Sequence, residues 1–283
     1  MKICRFVLFI LFSTVLRTEA QQNLTYAVVD SGPLLLDLYL PKNVNGSAPL
    51  IIWIHGGGWK NGSKENCLPV RLGFTERGYA VASINYRLTG IAPFPAQIED
   101  CKAAVRWLRT HAGKYGLNPD EFGVWGSSAG GHLVALLGTS GDVSSFDTGE
   151  NTQVSSRVQA VCDYYGPSDF RTMGTAPGFE RHARDDSPES ALLGGTPDKK
   201  PETAKAASPV THVTPDDPPF LIVHGDQDRT VPLDQSRRMD AALHTAGVET
   251  ELIILPGAGH GGPAFSSPEM TAKVAAFFDR HLK

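Results

Sequence analysis

Cysteine is scarce in this sequence, and charge of one sign is nowhere concentrated. Four cysteines in 283 residues, at spacings that suit no zinc site, argue against a scaffold held by disulfides or structural metal. Cys4 falls in an N-terminal leader-like segment, which leaves Cys67, Cys101 and Cys162, an odd number that allows at most one bridge. Cys101 sits in a helical pattern and Cys162 in an apolar run, so both read as small buried hydrophobes. The formal charge is only −4, and the absence of a basic cluster argues against nucleic acid and against an electrostatic membrane partner. Internal repeats and low-complexity tracts are missing too. No apolar run reaches the roughly 20 residues that a bilayer span requires. The nearest approach, Phe6 to Phe12, follows Lys2 and Arg5 and gives out by Arg17; Thr18-Glu19-Ala20 then offers small residues where a signal peptidase reads. Residues 1–20 are therefore expected to be a cleaved secretory signal and not a membrane anchor, which implies a secreted or periplasmic protein.

What remains, residues 21–283, is 263 residues of a chain that is 41% hydrophobic and 20% charged overall, enough for one sizeable α/β core in a single domain. Residues 34–40, 50–54 and 79–86 read as strands. From 95 to 111 the period changes: Ile98, Cys101, Val105 and Leu108 recur at helical spacing, and Asp100, Lys102, Arg106 and Arg109 are left for the solvent side. Strands are then expected at 121–125, 158–165, 220–223 and 251–255, and helices after 129, over 233–246 and over 269–281. That alternation implies a mostly parallel central sheet with helices on both faces. Residues 168–218 break the rhythm with many Pro, Gly and charged residues. A stretch this long is either a short helical, lid-like excursion over the active site or a plain surface insertion.

The chemistry-bearing stretch is VWGSSAGG. A G-x-S-x-G run arises easily in a glycine-rich chain, but here a strand pattern precedes it and helix formers follow, the context in which Ser128 is bared at a sharp strand-to-helix turn. A second part of the same machine lies upstream, where His55-Gly56-Gly57-Gly58-Trp59 ends a strand pattern as an oxyanion-hole loop should. A serine hydroxyl needs a base, and the base needs an acid to orient it. Downstream come HGDQDRTVP and GAGHGG, each after a strand, so that their loops reach the carboxyl end of a parallel sheet. His55 and His224 end strands beside glycines, where a ring commonly braces a loop. His260 combines the right chain order with a glycine-rich loop and is the candidate base. For the acid, Asp226 and Asp228 compete, one of them a turn-forming residue that caps its own backbone.

Taken together, these segments resemble the α/β-hydrolases of the carboxylesterase group, and within it the bifunctional feruloyl and acetyl-xylan esterase family. The likeness runs from LLLDLYLP through HGGGW, GYAVASINYRL, FPAQIEDCKAAVRWLR, VWGSSAGGHL, YYGPSDF and HGDQDRTVP to GAGHGG. It implies an α/β-hydrolase fold and a catalytic set of Ser128, Asp228 and His260, with the second Asp of HGDQDRTVP as the acid. Oxyanion donors would be the backbone N–H groups of Gly57, Gly58 and Ala129, and side chains at Gly57 or Gly58 would crowd the acyl pocket. The substrate implied is a small-molecule or polysaccharide-borne ester, acetyl or feruloyl; no cofactor and no metal are expected. Because an imidazole must be neutral to act as base, activity should rise through neutrality. Two alternatives stand beside this reading. One is a serine peptidase or lipase of the same fold, and the other is a non-catalytic binding protein on the scaffold, which would usually have lost one of the three residues.

Overall fold

The computed structural model describes residues 19–42 and 46–283. Cys4 and the expected secretory signal, apart from its last two residues, lie outside the described residues. One sheet of eight strands carries the fold: β1 (Glu19–Val29), β2 (Gly32–Leu40), β3 (Ala48–Ile54), β4 (Ala80–Ile84), β5 (Leu117–Ser127), β6 (Ala160–Tyr164), β7 (Phe220–Gly225) and β8 (Thr250–Leu255). Their order is β1-β2-β4-β3-β5-β6-β7-β8. The pairs β1/β2 and β2/β4 are antiparallel and every later pair is parallel.

Period-2 alternation explains why both faces need cover. Along β3, Leu50, Ile52 and Ile54 enter one hydrophobic cluster, whereas Ile51 and Trp53 enter the other. Nine α-helical segments occur among the described residues. They are α1 (Leu68–Arg71), α2 (Ala96–Thr110), α3 (Ala112–Tyr115), α4 (Ala129–Thr139), α5 (Phe170–Met173), α6 (Pro188–Leu193), α7 (Pro201–Ala207), α8 (Asp234–Ala246) and α9 (Pro268–Leu282). α2, α4 and α8 bring Ile98, Val105, Leu133, Leu136, Met239 and Leu243 to the first cluster. α9 brings Val274, Phe278 and Leu282 to the second. None of the helices in the described residues is long and apolar enough to cross a membrane.

Three expectations need correction or completion. β1 was not anticipated; its first half is polar, and as the outer strand it leaves Val28 76% exposed. On α2, Asp100, Lys102 and Arg106 are buried instead of facing solvent. Residues 140–157 fold over that side: Lys102 Nζ donates to the Ser140 carbonyl and to Asp147, and Arg106 donates to Asp147 and to the Glu150 and Thr148 carbonyls. Asp100 instead takes a forked pair of bonds from Arg87, Nε–H to Oδ2 and Nη2–H to Oδ1. Arg109 is partly covered by carbonyls of Pro119, Ser155 and Arg157. Finally, residues 168–218 contain α5, α6, α7 and two 3-10 turns. Pro188 of this excursion abuts the Gly58 loop, and Arg181 donates to the carbonyls of Arg229 and Thr230, so it spans two loops at the sheet's carboxyl end. The three cysteines Cys67, Cys101 and Cys162 are free and buried.

Candidate active site

β5 ends at Ser127 and α4 begins at Ala129, so Ser128 is the single residue that turns strand into helix. It does so at φ 56° and ψ −120°, a conformation an L-residue adopts only when its surroundings impose it. Those surroundings are tight. An added Cβ on Gly130 would lie 2.0 Å from the Ile54 carbonyl oxygen, so only glycine lets the first turn of α4 pack against the end of β3. That same contact brings the His55–Trp59 loop beside the serine; a Cβ on Gly56 would stand 3.3 Å from the Ser128 Cβ.

Two other loops meet Ser128 there. The His260 Nε2 lies 2.8 Å from the Ser128 Oγ, and its Nδ1 lies 2.6 Å from the Asp228 Oδ2. The carboxylate at Nδ1 fixes the tautomer: Nδ1–H donates to Asp228, and Nε2 is left to accept the hydroxyl proton. Asp226 stands apart. Its Oδ1 accepts the Gly257 amide at 2.7 Å, clamping the loop after β7 to the loop after β8. Of the two competing carboxylates, then, one aligns the ring and the other ties together the loops that carry ring and acid.

The amides of Gly57, Gly58 and Ala129 meet no protein acceptor among the described residues. For Ala129 the reason is helical geometry, since the first amides of a helix have no intrahelical partner. Gly57 has φ 112°, and a Cβ there would strike the Asn61 carbonyl oxygen at 2.2 Å. A Cβ on Gly58 would touch Pro188 at 3.4 Å. Side chains at these positions would therefore meet the loop's own turn at Gly57 and the excursion at Gly58.

Several neighbours were not assigned a part in the catalytic group from sequence. His224 is fully buried. Its Nε2 lies 3.1 Å from the Val231 carbonyl and 3.2 Å from the Asp228 Oδ2, two acceptors that require Nε2 to carry the hydrogen, and its Nδ1 lies 2.7 Å from the Ser236 Oγ. The loop-bracing role expected of it is real but incomplete, because the ring also holds Asp228. Burial pushes the Asp228 carboxyl up. Hydrogen bonds from His224 and His260, the electrostatic attraction of the His260 ring and the Thr230 amide outweigh that and hold it well below the usual carboxylate range. Behind this group, burial pushes the Asp163 carboxyl up to about 6, against the opposing effects of the Gly166 amide and His224.

Tyr165 sets its ring edge on His260, centroids 4.6 Å apart, and packs likewise on Phe265. Its position just past the end of β6 is the sequence signal that was available, by the same carboxyl-end rule that located the other loops. Trp59 donates Nε1–H to the His132 Nδ1 at 3.1 Å, and the His132 Nε2–H donates to the Ala207 carbonyl at 2.7 Å. Burial lowers the His132 ring to about 4 despite the Ala207 bond. A neutral ring in this one tautomer thus ties the Gly57–Gly58 loop, the helix after the serine and the excursion together.

Comparison with known proteins adds a second kind of observation. Residues 36–243 match the BD-FAE family model. The esterase LipC of Mycobacterium tuberculosis is 33% identical over 235 residues, which cover 82% of this chain and 58% of LipC. The chain spans about half the length of the curated relatives it matches. Among solved structures, a truncated carbohydrate esterase from gut microbiota superposes with a TM-score of 0.84 at 34% identity, covering 93% of this chain and 96% of the other. Est2, an esterase of Thermogutta terrifontis solved with propionate bound, does so with a TM-score of 0.75 at 27% identity, covering 93% and 94%.

Proposed function

The chain belongs to the BD-FAE family, and on that premise we propose that it is an exported serine carboxylesterase that cleaves short acyl or cinnamoyl esters, acetyl or feruloyl, on plant polysaccharide. The observation that supports this most is the unbroken line from the Ser128 Oγ through His260 to Asp228, at 2.8 and 2.6 Å, beside three amides with no acceptor among the described residues. Similarity to a carbohydrate esterase supports the sugar-borne substrate, and similarity to an esterase with propionate bound supports a short acyl group. Export rests on the N-terminal sequence pattern alone.

In this reading the Ser128 Oγ attacks the ester carbonyl carbon as its proton passes to the His260 Nε2. Asp228 stabilises the resulting imidazolium through the Nδ1–H bond. The carbonyl oxygen, now negative, is received by the amides of Gly57, Gly58 and Ala129; losing one such donor typically costs about 3 to 4 kcal/mol of transition-state stabilisation. When the tetrahedral species collapses, the C–O bond to the alcohol breaks and Nε2–H supplies the alcohol's proton. Water then attacks the acyl-enzyme, giving its proton to the same nitrogen, and the acid leaves with Ser128 restored.

The test is a panel of nitrophenyl esters from acetate to long chains, with methyl ferulate, acetylated xylan and an aminopeptide, run on the protein and on Ser128→Ala. Turnover of acetate and ferulate esters that Ser128→Ala abolishes is expected. Preference for long chains would make the protein a lipase, cleavage of the peptide a peptidase, and turnover surviving in Ser128→Ala would remove the assignment.

A further inference from the structure

Beside the Ser128 line, a cavity of about 490 Å³ opens between the excursion and the loop after β7. Two of its lining residues touch the loops that build the reaction centre. Pro188, on one wall, lies against the Gly58 position. Thr230, on the other, gives its amide to the Asp228 Oδ1 at 2.6 Å. The cavity thus borders the loop that carries the oxyanion glycines and the loop that carries the acid.

The cavity's charge opposes that of the chain. Arg181, Arg184 and Arg229 line it, and Asp186 is the only acidic residue that does. This leaves a wall of net charge +2 on a chain whose formal charge is −4. The three cations are not equally committed. Arg181 spends part of its fork on the Arg229 and Thr230 carbonyls, so it shapes the cavity. Arg184 pairs with Asp186 at the rim, where both side chains are mostly exposed. Arg229 has no side-chain partner among the described residues. His182 is buried in the same wall, its Nδ1 3.0 Å from the buried Glu189, and neither ring nitrogen has a hydrogen-bond partner among the described residues. Planar guanidinium forks recognise carboxylates bidentately, and a volume of this order accommodates a sugar-sized group.

We infer that this cavity is a subsite for a carboxylate carried by the substrate, so that the enzyme favours esters bearing an acid group beyond the scissile bond. The inference rests on the esterase reading above. The carboxylate has two possible origins, the acyl group or the alcohol, the latter including a sugar acid. Paired substrates separate them. 4-Acetoxybenzoate against its methyl ester places the charge on the alcohol; monomethyl glutarate against methyl valerate places it on the acyl group. Each rate is normalised to the hydroxide-catalysed rate.

At low ionic strength the charged member of one pair is expected to show a kcat/KM about tenfold above its neutral twin. The ratio should fall towards one in Arg229→Gln and Arg184→Gln, invert in Arg229→Glu, and shrink in 0.5 M salt, where the Debye length is only a few ångströms. The pair that shows the effect identifies the side bearing the acid. Neutral twins turned over with no advantage for either charged member would overturn the subsite and leave the esterase intact. Failure to hydrolyse any of the four substrates would remove both.

Discussion

The Asp228 carboxylate accepts from two rings on one oxygen and from two amides, Thr230 and Val231, on the other. With every lone pair engaged, the acid is held in one orientation. His224 contributes to this without touching substrate, and so acts as a positioning residue. Loss of one hydrogen bond to a charged group amounts to about 1.5 to 3 kcal/mol. His224→Gln should therefore lower kcat roughly ten- to a hundredfold while KM stays close to wild type; a change confined to KM, or none at all, would show that the ring is only a loop brace. Linkage adds a check with a definite sign. A carboxyl depressed by folding contributes stability above its unfolded pKa, and that contribution is lost as pH falls towards the folded value. Because the unfolded chains titrate alike and His224→Gln relieves part of the depression, the Tm gap between variant and wild type should hold from pH 7 to pH 4 and narrow only in stronger acid, as pH falls through the folded values. A gap that widens on acidification would contradict the assignment.

Among the elements, α2 and the segment that covers it carry a second prediction. Lys102 and Arg106 are fully buried and share Asp147, so Asp147→Asn would leave two buried cations without their counter-charge, a loss of about 3 kcal/mol. Urea denaturation should show a lower midpoint with an unchanged slope. A shift below a few tenths of a kcal/mol would mean that water already screens the cluster. The same elements show how much was legible. Periodicity put α2 in place and identified its apolar face, but a helical period says which residues share a side and not what will lie over it. Residues 140–157 have no strong pattern of their own, so the cover they provide was invisible. β1 was missed for a related reason: its backbone is held by the ladder with β2, not by an apolar alternation. In the excursion, α5 and α6 are four and six residues long, too short for a periodic signal, and their positions follow from contacts with distant loops. The strands β3, β4, β6 and β7 were legible because both faces are buried and the sequence is apolar almost throughout.

At the scale of the whole molecule, three chemical parts whose outermost members lie 132 residues apart, Ser128, Asp228 and His260, were recognisable because each follows a parallel strand and all such strands end on the same side. What joins them to one another was not. The Asp226 clamp, the His224 support and the chain from Trp59 through His132 to Ala207 are side-chain bonds across loops, which no local pattern encodes. They hold the oxyanion loop, the serine turn and the acid and histidine loops as one rigid unit around the reacting atoms. The most direct test of this unit is to expose the folded protein briefly to an aryl phosphate triester and locate the adduct by peptide mass spectrometry. The account predicts one phosphoryl group per chain, on the peptide containing Ser128, and none in His260→Ala. An adduct on another residue, or ester turnover that continues in a fully labelled protein, would contradict it.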